Sequence, residues 1–327
     1  MTTSVIYPQL LADIGGTNAR FALETSSGMV EAIVIFACVE YPTLADAVRA
    51  YFAHPLAIAA GVAKVQQAGI AIANPVHSDI VQMTNHHWSF SITALQHEFA
   101  LTTLHVINDF RALAMALPFL SPQQKYQVGG GVATNNTAIG LVGAGTGLGV
   151  SGLIPSGERW IALDSEGGHV SFSPANAREI IILQFAMKKF GHVSAERFMS
   201  GAGLQLIYQA LSASTQDGIN NIDTPEILRR GLTGECSICR EVLECFCELL
   251  GSMASNLAVT LGAGGGIYIG GGIVPRLGQF FNDSGFRARF EHKGRLSHLL
   301  KQIPTFVITE PYPAFIGIAA LLNQSAS

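Results

Sequence analysis

The pattern of apolar and polar residues divides the first third of the chain into short elements. Runs of apolar and β-branched residues bounded by glycine, proline or polar turns predict strands, and apolar residues three or four positions apart predict helices. The predicted strands cover residues 9–12, 21–23, 30–37, 69–76 and 104–107. The predicted helices cover residues 44–52, 56–67, 92–100 and 110–117. Ser91 is the expected N-cap of the third helix, and Pro118 stops the fourth.

The rest of the chain repeats the opening pattern on a larger scale. Residues 121–136 are loop-like, contain three consecutive glycines and mark an expected domain boundary. The predicted strands beyond it cover residues 138–142, 267–269 and 305–308. The predicted helices cover residues 176–190, a segment that Ser194 opens as N-cap, 224–230, 235–262 and 312–322. In each half the first strand runs into a glycine-rich turn with a threonine at its tip, which suggests a duplicated domain.

Composition narrows the class of protein. The chain has 327 residues, 49% of them hydrophobic and 13% charged, so we expect a globular protein of two domains or one large one. The net charge of −4 and the absence of a lysine or arginine cluster argue against nucleic-acid binding. The longest apolar stretch, residues 253–273, is interrupted by polar residues and glycines, which disfavours a membrane helix. With no export signal at the start and five cysteines, we expect a cytoplasmic protein.

Four of the cysteines lie close together, at positions 236, 239, 245 and 247, so a zinc site must be considered. The segment from 235 to 250 contains no glycine or proline after its start and looks helical. At 1.5 Å per residue, Cys236 and Cys247 would lie about 16 Å apart, too far for one tetrahedral site. We therefore expect these cysteines to be small buried residues of a helix.

The glycine turn at residues 13–20 combines a carboxylate with hydroxyl and amide side chains. Paired glycines let the backbone approach a ligand closely, and its N–H groups can cradle phosphate oxygens together with Thr17 and Asn18. Asp13 can hold Mg²⁺, directly or through water, since hard cations take oxygen ligands. An ordinary Gly-Gly hairpin remains the alternative.

The second glycine turn, residues 143–149, has glycine at every second position. It matches neither the G-x-G-x-x-G dinucleotide fingerprint nor a Walker A loop, which needs Gly-Lys-Ser or Gly-Lys-Thr. A dinucleotide enzyme and a P-loop ATPase are therefore disfavoured. Two such turns, one in each half, point to a pair of loops around one phosphate chain, with plain hairpins as the alternative.

Polar residues also gather at the ends of predicted elements. Asn108 and Asp109 follow a strand, where ligand chemistry is located in α/β sheets, although either can simply cap the next helix. Glu166 and His169 flank two glycines and can bind zinc, act as an acid–base pair, fix sugar hydroxyls or form a structural turn. Glu196 lies in the first turn of a predicted helix, where the helix dipole alone favours a carboxylate, so it need not be a ligand. The polar-aromatic loop over residues 83–88 is either a sugar-binding rim or a solvated loop.

In this order the landmarks resemble the bacterial glucokinases of the hexokinase–actin–Hsp70 superfamily, from Ala12 to the terminal helix. Residues 13–20 and 143–149 resemble the family's two phosphate motifs, and residues 72–76 its first connecting motif. Residues 270–276 are similar to the adenosine motif, and residues 107–110, 166–169 and 192–197 stand at its sugar-site positions. The resemblance implies an α/β fold of two ribonuclease-H-like (actin-like ATPase) domains with mixed sheets flanked by helices and a ligand cleft between them. The expected domains are 1–119 with 310–327, and 120–309.

The resemblance also implies roles for individual residues. Glucose hydroxyls would be held by Asn108, Asp109, Glu166, His169 and Glu196, with Asn85 at the rim and Asp109 as catalytic base. The nucleotide would be held by Ala12, Asp13, Ile14, Gly15, Gly16, Thr17, Asn18, Gly145, Thr146, Gly147, Gly271 and Gly272, with Asp13 supporting the metal of Mg-ATP. The chain departs from the family pattern at Ala12, Asp164 and Ala263. None of these departures removes a proposed catalytic group, although Ala263 puts nucleotide contact in doubt.

The expected activity is ATP-dependent phosphorylation of the glucose 6-hydroxyl, the first step of glycolysis, by a cytoplasmic homodimer with no nucleic-acid or membrane partner. Another sugar kinase of the same fold, acting on mannose, fructose or glucosamine, remains the enzymatic alternative, and the donor (ATP, ADP or polyphosphate) stays open. A sugar-sensing regulator would need a helix-turn-helix, for which the twelve residues before Asp13 leave no room. An actin- or Hsp70-like ATPase would have no need for the polar cluster at residues 108, 109, 166, 169 and 196.

Overall fold

A computed structural model describes residues 5–84, 86–213 and 222–326. In chain order its strands are β1 Gln9–Ile14, β2 Asn18–Ser26, β3 Met29–Ala37, β4 Gln67–Ile72, β5 Ile80–Gln82, β6 Ser89–Ser91, β7 Thr103–Asn108, β8 Lys125–Val128, β9 Ile139–Ala144, β10 Leu148–Ser156, β11 Arg159–Ala162, β12 Ile267–Gly270 and β13 Thr305–Ile308. Its α-helices are α1 Leu44–Phe52, α2 Pro55–Ala59, α3 Ile92–Glu98, α4 Asp109–Ala116, α5 Ala177–Met187, α6 Gly201–Ser212, α7 Thr224–Thr233, α8 Ser237–Leu261, α9 Ile273–Leu277, α10 Gln279–Asp283, α11 Phe286–Glu291, α12 Ser297–Gln302 and α13 Pro313–Ala326.

The chain divides into two compact units. The first unit comprises Met1–Leu120, Gly157–Asp164 and Glu310–Ser327, and the second comprises Ser121–Ser156 and Ser165–Thr309. The sequence assigned residues 157–164 to the range 120–309, whereas the structure groups them with the first unit. Each unit has a mixed sheet of its own.

The sheet of the first unit has the strand order β3-β2-β1-β4-β7. β1, β2 and β3 are antiparallel neighbours, and β4 and β7 run parallel to β1. In register, Ile14 pairs with Ile72, and Ile72 pairs with Asn108. The carboxyl ends of β1, β4 and β7 therefore meet at one edge, which is the place where open α/β sheets carry their ligands.

Both faces of this sheet are covered by apolar side chains. Leu10 belongs to a cluster that includes Tyr51 and Trp88, and its neighbour Leu11 belongs to a separate cluster with Phe315 and Ile318. Successive residues of a strand point to opposite faces, so consecutive leucines feed both cores. Because both faces of the sheet are covered, residues 10–12 of β1 are all apolar.

Helix α13 lies unusually close to its neighbours in the first unit. A Cβ added at Gly69 of β4 would lie 2.2 Å from the Ile318 side chain, and one added at Gly317 would lie 1.8 Å from the carbonyl oxygen of Ala112 in α4. Only glycine permits such approaches. The helix that begins at Asp109 is thus packed directly against the last helix of the chain.

Four strands of the second unit's sheet repeat the arrangement of β2, β1, β4 and β7 in the first, and β8 adds an antiparallel edge strand. Within this unit the order of the sheet is β10-β9-β12-β13-β8, with β9 and β10 antiparallel and β12 and β13 parallel to β9. We call β1 and β2 with their turn the first hairpin, and β9 and β10 with their turn the second hairpin. At matching register, the first hairpin pairs Asp13 with Arg20, and the second pairs Gly143 with Gly149. The repetition expected from the two glycine turns is confirmed.

Helix α8 forms the centre of the second unit. Among the described residues it alone is long and apolar enough to cross a membrane, and 67% of its apolar window is buried inside the fold. Helices α6, α7 and α11 pack around it. The helix over residues 235–262 is confirmed, and Cys239, Cys245 and Cys247 are fully buried along it. No group of three or more metal-ligating side chains occurs within the described ranges.

Three predicted elements were wrong. The helix expected over 56–67 ends early because Gly61 adopts φ +85°, and β4 starts at Gln67. The segment 121–136 was expected to be a loop but contains β8, which pairs with β13 far along the chain. Ser194 precedes only a short 3₁₀ turn and makes no cap hydrogen bond, because the helix beyond it is capped by Ser200 instead. The helices α10, α11 and α12 were not predicted.

Candidate functional site

The first hairpin presents a compact turn at the carboxyl edge of its sheet. The Gly15 N–H donates to the Asn18 carbonyl at 2.9 Å, and the Cys38 N–H donates to the Thr17 carbonyl at 2.8 Å. Both ends of the turn are therefore fixed by backbone hydrogen bonds. Ile14 and Ala12 are fully buried beneath it, so the turn is held by the core while Gly15, Gly16 and Thr17 stay accessible.

Asp13 lies at the base of this turn, opposite Arg20. The Arg20 Nη1 is 3.1 Å from the Asp13 Oδ2 across the two strands. Burial raises the pKa of Asp13, and the Arg20 charge and hydrogen bond oppose that shift. Arg20 was not among the predicted site residues, although the register of any hairpin that contains Asp13 places residue 20 opposite it. A carboxylate anchored through one oxygen keeps its second oxygen for another partner.

Asn108 and Asp109 form the junction between β7 and α4. Asn108 caps the helix, since its Oδ1 accepts from the N–H groups of Phe110 at 2.9 Å and Arg111 at 3.2 Å. Its Nδ2 donates to the Asp109 Oδ1 at 3.0 Å. Both interpretations of Asn108 are therefore compatible, because the same amide caps the helix and orients the aspartate.

Asp109 has a strongly perturbed acidity. Burial, together with the nearby charge of Asp13, raises the pKa of Asp109 to about 6, although the hydrogen bonds from Phe110 and Asn108 oppose the shift. A partly buried carboxyl at the carboxyl edge of a sheet, with its pKa moved toward neutrality, has the properties of a general base. The Asp109 and Asp13 carboxyls therefore interact electrostatically at the carboxyl edge of the first unit's sheet.

Asn74 is a member of this edge that the sequence did not identify as a site residue. Its carbonyl accepts from the Asn108 Nδ2 at 3.5 Å, and its Oδ1 accepts from the Thr84 N–H at 3.1 Å. It thereby joins Asn108 to the loop over residues 83–88. The Asn-Pro pair after a buried strand was the available signal. Asn85, the expected rim residue, lies outside the described residues.

The second hairpin has a three-residue turn of glycine, threonine and glycine. The Gly145 N–H donates to the Gly147 carbonyl at 2.8 Å, and the Gly145 carbonyl accepts from the Gly201 N–H at 2.9 Å. A Cβ added at Gly145 would meet no atom within 4 Å, so the backbone there faces open space. Thr146, at the tip, is exposed.

Glu196 ties the second hairpin to the polar cluster. Its Oε2 accepts from the Leu148 N–H at 2.9 Å, and a Cβ added at Gly147 would lie 2.5 Å from that oxygen. His169 places its Nε2 3.8 Å from the Glu196 Oε1 and its Nδ1 3.9 Å from the Glu166 Oε2. The structure therefore brings these three predicted residues together around the imidazole.

The spacing and exposure of this cluster bear on its chemistry. The His169 and Glu166 side chains are 62% and 72% exposed, and Glu196 is 32% exposed. Their separations exceed normal hydrogen-bond lengths, so each carboxylate and the imidazole retain capacity for an outside polar group. Hydroxyl groups, which both donate and accept, suit such a cluster.

The segment expected to contact adenosine lies directly after β12. Gly271 has φ +82°, and a Cβ there would lie 2.3 Å from the Ala144 carbonyl oxygen at the end of β9. A Cβ at Gly272 would meet nothing within 4 Å. Gly271 therefore serves close packing of the strand ends, and Gly272 leaves an open backbone surface before α9.

The three departures from the family pattern have simple local explanations. Ala12 is fully buried in the sheet core. The Asp164 Oδ2 is 3.2 Å from the Nη1 of Arg111, which lies on α4. Ala263 lies just beyond the end of α8 and is fully buried, and its N–H donates to the Ala258 carbonyl in the last turns of that helix.

Comparison with known proteins shows the class to which this fold and site belong. A family model described as Glucokinase matches residues 10–325. The chain is 53% identical to the glucokinase of Chromobacterium violaceum over 97% of this chain and 89% of that one. It is 54% identical to the bifunctional protein glk of Burkholderia pseudomallei (strain 1710b) over 98% of this chain. The chain belongs to the glucokinase family.

The chain spans about half the length of the curated relatives that it matches first, 49% for the Burkholderia pseudomallei protein. Among solved structures, a glucokinase from an Antarctic psychrotroph superposes with a TM-score of 0.89 at 35% identity, over 98% of this chain and 100% of that one. A glucokinase from Streptomyces griseus in complex with glucose and AMPPNP gives a TM-score of 0.65 at 17% identity, over 97% and 99% of the two chains. The fold is the two-domain, actin-like ATPase fold of these sugar kinases, as expected.

Proposed function

We propose that this protein transfers the γ-phosphoryl group of ATP to the 6-hydroxyl of D-glucose, giving glucose 6-phosphate and ADP, the first step of glycolysis. The observation that carries the proposal is Asp109. It is a partly buried carboxyl at the start of α4, held by Asn108, with its pKa raised to about 6. Membership of the glucokinase family supports the choice of sugar and donor.

Asp109 acts as the general base and orients the nucleophile. Phosphoryl transfer needs alignment and charge stabilisation more than covalent assistance, so the base accepts the hydroxyl proton as the phosphoryl group moves. A carboxylate with a pKa near 6 is mostly ionised at neutral pH and is a stronger base than an ordinary aspartate. Asn108 keeps one of its oxygens in place by hydrogen bonding.

The sugar hydroxyls are bound by two groups of polar side chains. Asn108 and Asp109 form one group, and Glu166, His169 and Glu196 form the other. Asn85 is a further proposed glucose-binding residue. The Glu166, His169 and Glu196 cluster retains the hydrogen-bonding capacity that several neighbouring hydroxyls require.

The two hairpin turns hold the phosphates of the nucleotide. Backbone N–H groups in tight glycine turns bind anions, and Gly145 and Gly272 leave open the space that a side chain would fill. In the first hairpin Ala12, Asp13, Ile14, Gly15, Gly16, Thr17 and Asn18 take part, and Thr146 and Gly147 act in the second. Gly271 and Gly272 lie beside the adenosine.

Asp13 fits the role of a Mg²⁺-supporting carboxylate. Mg²⁺ is usually bound by one or two carboxylates, substrate phosphates and water, so a full set of protein ligands is not needed. Arg20 holds Asp13 through Oδ2, which leaves Oδ1 for the ion or for its water. When bound, Mg²⁺ neutralises phosphate charge, and Asp13 fixes its position.

A coupled assay with a panel of hexoses and donors tests this function. The enzyme is assayed with Mg-ATP on glucose, mannose, fructose and glucosamine, and then on glucose with ADP or polyphosphate. We expect the highest kcat/KM for glucose with ATP. A higher value for another hexose or donor would assign a different sugar kinase, and sugar-independent ATP hydrolysis would assign an actin-like ATPase.

We further propose that the enzyme works in the cytoplasm as a homodimer, which is the family expectation. Sedimentation velocity on the purified protein checks the assembly, since a dimer has twice the mass of the 34.6 kDa chain. A monomer that is fully active would remove this part of the proposal.

A further inference from the structure

Two cysteines at the start of α8 are placed differently from the other thiols of the described chain. Cys236 is the N-cap of α8, and Cys239 lies three residues later in the first helical turn. The Cys236 Sγ accepts a hydrogen bond from the Cys239 N–H at 3.3 Å. The two thiols are also hydrogen-bonded to each other, so their sulfur atoms are neighbours and small shifts allow a disulfide.

The two thiols also differ in exposure in the way that sequential chemistry requires. Cys236 is partly exposed, whereas Cys239 is fully buried. Burial and the hydrogen bond to Cys236 raise the pKa of the Cys239 thiol to about 12. The thiol nearer the surface can therefore meet a reagent first, and the buried thiol, which stays protonated until then, can act second.

The charges around the pair are mixed. Near Cys239, the Arg230 charge lowers the thiol pKa and the Glu226 charge raises it. Glu226 is itself paired with Arg230 on α7.

The other described cysteines lack this arrangement. Cys245 and Cys247 are fully buried in the interior of α8 and are two residues apart, so they point to different sides of the helix. Cys38 is buried beside the first hairpin, where its Sγ contacts the Gly15 carbonyl. They provide internal controls for thiol reactivity.

We propose that Cys236 and Cys239 form a redox-active dithiol, a reversible modification site whose substrate is a small disulfide such as oxidised glutathione. The Cys236 thiolate attacks one sulfur of the disulfide, forms a mixed disulfide and releases one thiolate. Cys239 loses its proton to solvent and attacks the Cys236 sulfur, which releases the second thiolate. Two protein thiols and one disulfide thus become a Cys236–Cys239 disulfide and two small thiols.

Peptide mapping of the intact protein tests this site independently of any kinase assay. The folded protein is incubated with oxidised glutathione, quenched with acid, blocked with N-ethylmaleimide and digested with trypsin. Cleavage after Arg230 and Arg240 places Cys236 and Cys239 in one peptide, 231–240, separate from Cys245 and Cys247. We expect this peptide to lose two hydrogens and both maleimide labels, and dithiothreitol to restore them.

Single substitutions separate the two roles. Cys239→Ser should retain one glutathione on Cys236, because no second thiol resolves the mixed disulfide. Cys236→Ser should react at least about tenfold more slowly, since the accessible thiolate is gone, and serine can still cap the helix. Cys247→Ser is the matched control and should behave as the parent protein.

The proposal is overturned if peptide 231–240 keeps both thiols while the cysteines of the next peptide react. It is also overturned if Cys239→Ser gains no adduct although circular dichroism shows it folded. Equal reaction rates for Cys236→Ser and the parent protein would contradict the assigned order of attack.

Discussion

The Leu148 N–H donates to the Glu196 Oε2 at 2.9 Å, so a residue of the polar cluster is held by the backbone of the second hairpin. In the proposed enzyme this hydrogen bond joins a sugar contact to a phosphate-binding turn. The turn leaves room for the carboxylate only because residue 147 is glycine. Movement of either partner is therefore expected to affect the other.

Gly147→Ala should weaken glucose binding. The new Cβ would lie 2.5 Å from the Glu196 Oε2 and must displace it. Loss of a hydrogen bond to a charged group costs about 1.5–3 kcal/mol, so the glucose KM should rise about tenfold or more. Gly145→Ala, where the methyl meets nothing within 4 Å, is the control in the same turn. Equal glucose KM values in the two variants would contradict the assignment.

Asp109→Asn should abolish most turnover without preventing sugar binding. Asparagine retains the size of the side chain but cannot accept the hydroxyl proton. We expect kcat to fall by ~10² or more, the lower end of a positioned base's contribution, with the glucose Kd within roughly tenfold. Steady-state kinetics and calorimetry give the two quantities. Asp283→Asn, on the surface at the end of α10, is the control, and near-normal kcat in Asp109→Asn would exclude Asp109 as the base.

The pH dependence of kcat/KM should report the same carboxyl. The active form of a base is the ionised one, and the pKa of Asp109 is about 6. We therefore expect kcat/KM to be level from neutral to mildly alkaline pH and to decline as the pH falls through about 6. Circular dichroism at each pH separates this decline from acid unfolding. A profile that stays level down to pH 5 would contradict the raised pKa.

The raised pKa of Asp109 also predicts that its ionisation, which activates the base, lowers the stability of the folded protein. In the unfolded chain the Asp109 pKa is near its usual value of about 4, so ionisation at pH above 6 costs the folded state free energy. The contribution of Asp109 to stability is full below about pH 4 and is lost as the pH rises through about 6. Asp109→Asn should therefore be more stable than the parent at pH 8, by at most about 3 kcal/mol, and similar to it near pH 4. Thermal unfolding at both pH values checks this, and an equal difference at both would contradict it.

Gly271 and Gly272 should respond differently to alanine. Gly271→Ala combines a φ of +82° with a Cβ only 2.3 Å from the Ala144 carbonyl oxygen, so it should lower the free energy of unfolding by at least ~1–3 kcal/mol. Gly272→Ala should leave stability within about 0.5 kcal/mol and weaken nucleotide binding, because its methyl enters open space beside the proposed adenosine position. Thermal unfolding and ATP KM values distinguish them, and equal loss of stability would contradict the interpretation.

Much of the fold was predictable because its signals are local. The strand, glycine turn and strand at residues 9–23 and the long helix α8 are encoded by neighbouring residues. In contrast, β8 is a strand only because Lys125–Val128 pairs with Thr305–Ile308, and no local pattern reports a partner so far along the chain. Ser194 and Ser200 are equally good caps by residue type, and only the packing of the helix decides between them.

The site was predictable in its residue types but not in its connections. The sequence indicated Asp13 and Asp109 separately, and the parallel register of β1, β4 and β7 places them on one edge, where their charges interact. Glu196 was expected from its place in a motif, yet its hydrogen bond to Leu148 could not be inferred, because it depends on the backbone of the second hairpin. Asn74 was missed since its contacts come from Asn108 and Thr84, both distant in sequence.

The close packing of α13 against α4 has a consequence for how the protein is made. Ribosomes synthesise the chain from its N-terminus. Asp109 and its helix therefore emerge some two hundred residues before Phe315, Gly317 and Ile318. Until then, one apolar face of the first sheet lacks the helix that covers it. Nascent chains in that condition expose surface that chaperones bind. Asp109 and α4 therefore acquire this packing only after α13 has been synthesised, and chains stopped before residue 313 would lack it although they contain every proposed site residue.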